Sequence, residues 1–459
     1  MAKSRQVILP GLHIKIKRKV ESILEKIIGA EYLIKDYGEA KKDWAIVING
    51  DVIEKVGPIN KLRSNYPDLS IEIHEKGVIS PGFINSHMHL YGVLSHGIVP
   101  PVEIKDFTSF LEDFWWPLVE DQLTHKLIEK ATYQAAIELI NSGVTTVVDI
   151  LEAPMAIPGA LEIEAEVLKD LGLRGILSFE ASERVNQENA ELGLKENVTF
   201  ANKYKNDPLI SGRQCTHTLF TCSKSYLQTA FDLAKDNSIG HQLHISESIY
   251  EVDYSLNKYG KRPVEVYDEL NLLNPNLLVS QAVKVNQQEI ETLKENQVGV
   301  AHLPLSNCEV GGGVSPVPDM LETGLDVGLG TDGYINNFFE VMRGAFLIHK
   351  AYLENPGIMS AETVYQIATE GGSNALKRCD LGKLEKDRKA DYIIIEPTCP
   401  TPINVENIFD QLILYCNPEN VTEVVVGGKK IKSNGEIVGF DVSKIRKESR
   451  EAAKELWRS

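Results

Sequence analysis

The chain has 459 residues, 43% hydrophobic and 25% charged, with 48 Lys and Arg against 65 Asp and Glu and a formal net charge of −17. This is the composition of an ordinary globular protein and excludes disordered, collagen-like and disulfide-scaffold chains. The acidic balance argues against a nucleic-acid partner, because phosphate binding relies on clustered Lys and Arg.

Residues 1–28 read as an N-terminal extension. The stretch MAKSRQVILPGLHIKIKRKV begins basic, but Pro10, Gly11 and His13 interrupt any signal-peptide core, and Ile14–Lys19 is a small solvated basic cluster. Val20–Ile28 suits a short amphipathic helix or a first strand equally well. Within residues 29–77, Ala45–Gly57 alternates apolar and polar residues through an Asn-Gly-Asp turn, the pattern of a hairpin.

Residues 78–384 alternate β-branched runs with helical stretches. The expected strands are Val78–Ile84, Val144–Asp149, Arg174–Phe179, Arg213–His217, His241–His244, Leu277–Gln281, Val298–His302 and Asp326–Thr331. Helical periodicity covers Leu123–Asn141, Leu161–Leu171 and Leu227–Asp236. Eight strands alternating with helices predict an α/β fold, a (β/α)8 TIM-type barrel. Residues 385–441 return to strands (Ala390–Glu396, Val421–Gly435) and are expected to join residues 29–77 in a small β-sandwich domain. Residues 442–459 read as a closing helix with Trp457 as its apolar anchor. No run approaches the roughly 18 apolar residues of a membrane span. Six cysteines without a CxxC pair fit reduced thiols in a cytoplasmic protein.

Barrel enzymes carry their chemistry at the C-terminal ends of strands. The first expected strand runs into Asn85-Ser86-His87-Met88-His89, and residues two apart on a strand share a face, so both imidazoles can reach one metal. The fifth ends at His244, with Glu247 just beyond, and the eighth ends in Gly330-Thr331-Asp332-Gly333. Each piece alone has an ordinary explanation: a solvated strand face, a structural histidine, a turn aspartate, a helix-start acid. Their coincidence at strand ends points to a mononuclear metal site.

The runs PGFINSHMHL, HISES, AHLPLSN and GLGTDG, with strand-rich ends, resemble the amidohydrolase superfamily, and within it the branch of guanine, S-adenosylhomocysteine and triazine deaminases. The resemblance implies that His87, His89, His244 and Asp332 bind one divalent metal per chain, zinc or ferrous iron. It implies that Glu247 shuttles protons, Asp332 takes the proton of the attacking water, and His217 faces the substrate. His302, Asn307, Glu180 and Arg184 are further substrate-binding candidates, and Trp115, Trp116 and His96 lie where a pocket wall is expected. The implied reaction is attack of metal-bound hydroxide on a carbon of a nitrogen heterocycle, with release of ammonia. The partners are then a small heterocycle and water, with no membrane or nucleic acid and with homo-oligomerisation open. The same apparatus serves hydrolysis of a cyclic amide, or of a halide or alkylamine substituent.

One position departs from the pattern. Where the family usually has a strand-6 histidine, this chain has Gln281, also expected in the catalytic set. A glutamine amide donates a hydrogen bond but cannot carry a positive charge, and loss of one stabilising donor costs about 2.7–4 kcal/mol in a transition state. Gln281 is read as a changed substrate, a slow enzyme or a metal-binding paralogue without turnover. The presence of Glu247 and Asp332 favours the first.

Overall fold

The computed structural model describes residues 25–458; the basic cluster at Ile14–Lys19 lies outside them. The strands are β1 (Lys26–Asp36), β2 (Glu39–Asn49), β3 (Val52–Pro58), β4 (Ser70–Pro81), β5 (Phe83–Met88), β6 (Val144–Leu151), β7 (Arg174–Phe179), β8 (Ile210–Gly212), β9 (Gln214–Cys215), β10 (His241–Ile245), β11 (Leu277–Gln281), β12 (Gly299–His302), β13 (Val327–Leu329), β14 (Tyr392–Ile395), β15 (Val421–Val426), β16 (Lys429–Ser433) and β17 (Glu436–Ile437). The described part of the Val20–Ile28 segment is therefore strand from Lys26 onward.

Both ends of the chain meet in one mixed sheet of order β17-β16-β15-β14-β4-β1-β2-β3. Its strands hydrogen-bond as a single eight-stranded sheet rather than as two separate layers. Alternation along β1 explains its two buried faces. Ile27 packs with Ala45, Val47 and Leu62, while Ile28 packs with Ile46, Ile79, Tyr392 and Ile394. A buried pair, Arg174 Nε to Asp391 Oδ2 at 2.8 Å and Nη2 to Asp391 Oδ1 at 3.0 Å, ties this sheet to the parallel strands.

The expected strand Val78–Ile84 is in fact two. Val78–Pro81 ends β4 in the terminal sheet, and Phe83 opens β5 among the parallel strands. Gly82 lies between them, where a Cβ would come within 2.1 Å of the Thr145 side chain. Apolar periodicity runs unbroken through both pieces and so does not reveal the crossing.

Parallel strands form a four-stranded sheet, β5-β6-β7-β8, and a five-stranded sheet, β13-β12-β11-β10-β9. The expected strand at Arg213–His217 starts earlier and is broken at Arg213, whose guanidinium donates to His241 O and Asn276 O at 2.8 and 2.7 Å. On one side β8 and β9 follow each other in sequence, and Arg213 N donates to Leu177 O while Gln214 N donates to Gly240 O. On the other, Thr331 N and Asp332 N both donate to His87 O, at 3.1 and 3.2 Å. Ile84, Val148 and Ile176 from one sheet share a buried apolar cluster with Leu278 and Ala301 from the other.

The closing helix spans Val442–Leu456. Its residue Ser449 bonds to Lys130 O on the helix His125–Asn141, and Trp457, beyond its end, donates its indole N–H to Leu94 O at 2.8 Å. No helix among the described residues is long and apolar enough to cross a membrane.

Candidate active site

β5 delivers His87, and His89 follows two residues on; both are buried. The segment after β13 is pressed against them through two glycines. A Cβ on Gly330 would lie 2.6 Å from His87 O, and one on Gly333, where φ is +81°, would lie 2.4 Å from His89 O. The Gly-Thr-Asp-Gly run is thus a steric requirement for bringing Asp332 beside the two histidines. Asp332 Oδ1 is 2.9 Å from His87 Nε2 and 3.4 Å from His89 Nε2. His244, at the end of β10, completes a group whose ligand atoms all lie within 4.8 Å of one another.

The far side of three of these ligands is held. His89 Nδ1 donates to Ile150 O at 2.7 Å. His244 Nδ1 lies 2.9 Å from Glu180 Oε1. Asp332 Oδ2 accepts from Gln281 Nε2 at 2.9 Å and from Ser306 Oγ, which turns Oδ1 toward the histidines. Such outer partners fix ligand orientation and tautomer. Gln281 (φ +72°) and Asp332 (φ +61°) both hold left-handed backbone, which costs a side-chain-bearing residue about 1–3 kcal/mol and collects at functional sites.

Electrostatics suit a cation. Burial drives His89 down to about 3 and lowers His87 against the pull of Asp332, so both imidazoles stay neutral and ligating. Burial alone would raise Asp332, but its His87 hydrogen bond and the three nearby imidazoles outweigh it and lower the carboxyl. Three neutral imidazole nitrogens and one carboxylate are a donor set for a divalent metal such as zinc or iron. A second cluster, Glu180, His217 and His244, shares His244 with the first. A third, Glu72, His74 and Glu423 on the terminal sheet, already holds an ammonium: Lys430 Nζ lies 2.7 Å from both glutamates.

The ligands open on a cavity of about 390 Å³ lined by His89, His244, Asp332, Glu247, His217 and Glu180, among others. Burial pushes the Glu247 carboxyl up to about 8, with His244 pulling it down and Asp332 and Glu251 pushing it further up. His217 Nδ1 pairs with Thr221 Oγ1 at 2.8 Å, so Nε2 is the nitrogen left for a ligand.

The remaining expected residues are placed differently. His302 Nε2 meets His349 Nε2 at 3.1 Å, and neither His302 nor Asn307 lines the cavity. Gln281 is fully buried and also off the lining, so it touches Asp332 rather than a substrate. Arg184 is behind the wall, bonded to Glu152, to Glu120 (3.2 Å) and to Asp121 (2.9 Å). Its guanidinium lies 5.1 Å from the centre of the Trp116 ring. Trp115, Trp116 and His96 do line the cavity. Sequence reasoning missed Glu120, Glu152 and Ser306. Of these, Ser306 sits within the AHLPLSN run and was the one within reach of a motif.

The amidohydrolase family model matches residues 78–431. The 5'-deoxyadenosine deaminase of Methanococcus aeolicus is 31% identical over 422 residues, covering 90% of this chain and 96% of that protein. The 5-methylthioadenosine/S-adenosylhomocysteine deaminase of Thermococcus sibiricus is 30% identical over 404 residues, covering 86% of this chain and 91% of that one. The fold is similar to that of a zinc-bound adenosine deaminase from Xanthomonas campestris, with a TM-score of 0.87 at 22% identity, over 95% of this chain and 99% of that one. With the model match spanning most of its length, this chain belongs to the amidohydrolase family.

Proposed function

We propose that the protein is a metal-dependent aminohydrolase that replaces the amino group on a ring carbon of an adenine-type nucleoside by the oxygen of water and releases ammonia. The observation that carries this reading is the meeting of His87, His89, His244 and Asp332 in one cavity with the buried acid Glu247. The names of the sequence relatives support the adenine-type ring.

One divalent ion, zinc before ferrous iron, would be held by His87, His89, His244 and Asp332 and would supply a water acidified from a pKa of ~15.7 to about 7. Asp332, kept ionised, is the group that takes a proton from that water and holds it on the side facing the histidines. Glu247, kept protonated by burial, donates to the ring nitrogen and then serves the departing amine. His217 Nε2 is oriented by Thr221 to meet the substrate. Gln281 acts through Asp332 as a positioning residue. A single ion is supported by the sharing of His244 between the two adjacent clusters.

The reading extends to architecture and setting. The two parallel sheets are taken as halves of one (β/α)8 barrel, supported by the backbone bonds at both seams and the apolar cluster common to both sheets. Residues 29–81 and 385–441 are taken as the composite β-rich domain. A cytoplasmic protein without a nucleic-acid or membrane partner is supported by the sparse free cysteines and the acidic charge, and self-association is left to solution measurement.

The test is an ammonia-release assay on zinc-loaded protein with 5'-deoxyadenosine, adenosine, guanine, a pterin and an aminotriazine. Turnover of the adenine nucleosides is expected; ammonia from none of the five would overturn the reading.

A further inference from the structure

The cavity wall divides by chemistry. Phe107, Phe110, Phe114, Trp115 and Trp116 give it an aromatic side. Glu120, Glu152, Glu180, Glu247, Glu309 and Asp332 bring six carboxyl groups to it, and no Lys or Arg lines it among the described residues. The nearby guanidinium is already saturated. Arg184 is 8% exposed, its Nε is bonded to Glu152, its Nη2 to Glu120 and Asp121, and its face is covered by Trp116.

Six carboxyl groups therefore face at most three positive charges, two from a divalent ion and one from Arg184. Where burial keeps a carboxyl protonated, as it favours for Glu120 and Glu180, the group presents a neutral donor and still no cation. A phosphate or carboxylate entering this cavity would lose its hydration and meet like charge, with no ammonium or guanidinium to receive it. A hydroxyl or amine finds acceptors, and an apolar arm finds the aromatic side.

We infer that the cavity selects against negative charge: its substrate is a neutral or cationic nitrogen heterocycle with an apolar substituent, and the phosphorylated or carboxylate-bearing form of the same ring is refused. This rests on the aminohydrolase reading above and narrows its substrate.

The test uses zinc-loaded full-length protein at pH 8, where free imidazoles are neutral. It compares kcat/KM for four compounds that differ at one position of the sugar: 5'-deoxyadenosine, 5'-amino-5'-deoxyadenosine, adenosine 5'-monophosphate and adenosine 5'-carboxylic acid. The two anions are expected to be at least 100-fold poorer than 5'-deoxyadenosine, and the amine to equal or exceed it. An anion turned over within tenfold of 5'-deoxyadenosine would overturn the inference while leaving the deaminase reading intact. If none of the four is deaminated, the deaminase reading fails instead. Calorimetric binding of purine riboside and its 5'-monophosphate then decides the charge question. Weaker binding of the monophosphate upholds it, and equal or tighter binding refutes it.

Discussion

At the metal-ligating end of the cavity, four side chains leave the ends of β5, β10 and β13 and are positioned by backbone: glycines that permit close approach, and a carbonyl that fixes an imidazole. Along the acidic wall, Glu120, Glu152, Glu180 and Arg184 come from loops and are positioned by one another. A backbone-built site loses function when a ligand is changed but keeps its shape. A wall built on charge balance loses shape when its cation goes, because the remaining carboxyls repel.

The sharpest break in this contrast is Asp332→Asn, which should lower kcat/KM by roughly 10³-fold or more, about 4 kcal/mol, with little change in the urea midpoint. Retained turnover in steady-state assays would contradict the assigned proton acceptor. Arg184→Met should do the reverse, lowering unfolding free energy by about 3–5 kcal/mol, the cost of leaving buried charge unpaired. Urea unfolding followed by tryptophan fluorescence measures this, and an unchanged midpoint would mean the wall carboxyls are protonated throughout.

A smaller effect is expected where the two regimes meet. Gln281→Glu keeps the shape but replaces the amide donor on Asp332 Oδ2 with an acceptor, and should weaken metal affinity about 10–100-fold. Gln281→His, whose ring N–H can donate, should rescue it. Chelator competition reads both variants, and equal affinities for Glu and Gln would remove Gln281 from the positioning role.

The smallest effect lies behind the site, in a fully buried carboxyl pair. Burial raises Asp149 to about 7 and Glu164 well above its usual range, and the two share a hydrogen bond. Both therefore bind protons more tightly folded than unfolded. Their stabilisation is complete below about pH 4 and is lost as pH rises through 7. Glu164→Gln should flatten the decline in Tm from pH 5 to 8 by the equivalent of roughly 1–2 kcal/mol. A wild-type Tm that is flat or rising over that interval would rule this out.

How much of this was legible follows from the same contrast. His87, His89, His244 and Asp332 could be read because strand alternation and strand ends are local patterns. Gln281 could be read as a departure but not as a partner of Asp332, since that contact depends on β11 and β13 being brought together in space. Arg184 was read as a substrate contact because one dimension shows a charge on a loop and not the three acids that neutralise it. His302 was misplaced for a like reason: its partner His349 lies on a helix with no sequence sign of the pairing. Val78–Ile84 misled because two strands of different sheets abut without a polar break.

The hydrogen bond from Trp457 to Leu94 has a consequence for how the protein is made. Leu94 lies in the turn Leu90–Ser95 that directly follows His89 and runs into the cavity lining at Ser95 and His96. Strand β4, just upstream, stays without its β14 neighbour until the last part of the chain exists. On a ribosome adding roughly 5–20 residues per second, all four metal ligands have been synthesised well before the helix that buttresses them. A message cut short near its end thus yields a chain with every ligand and an unfinished site, and the final residues act as the enzyme's own certificate of full-length translation.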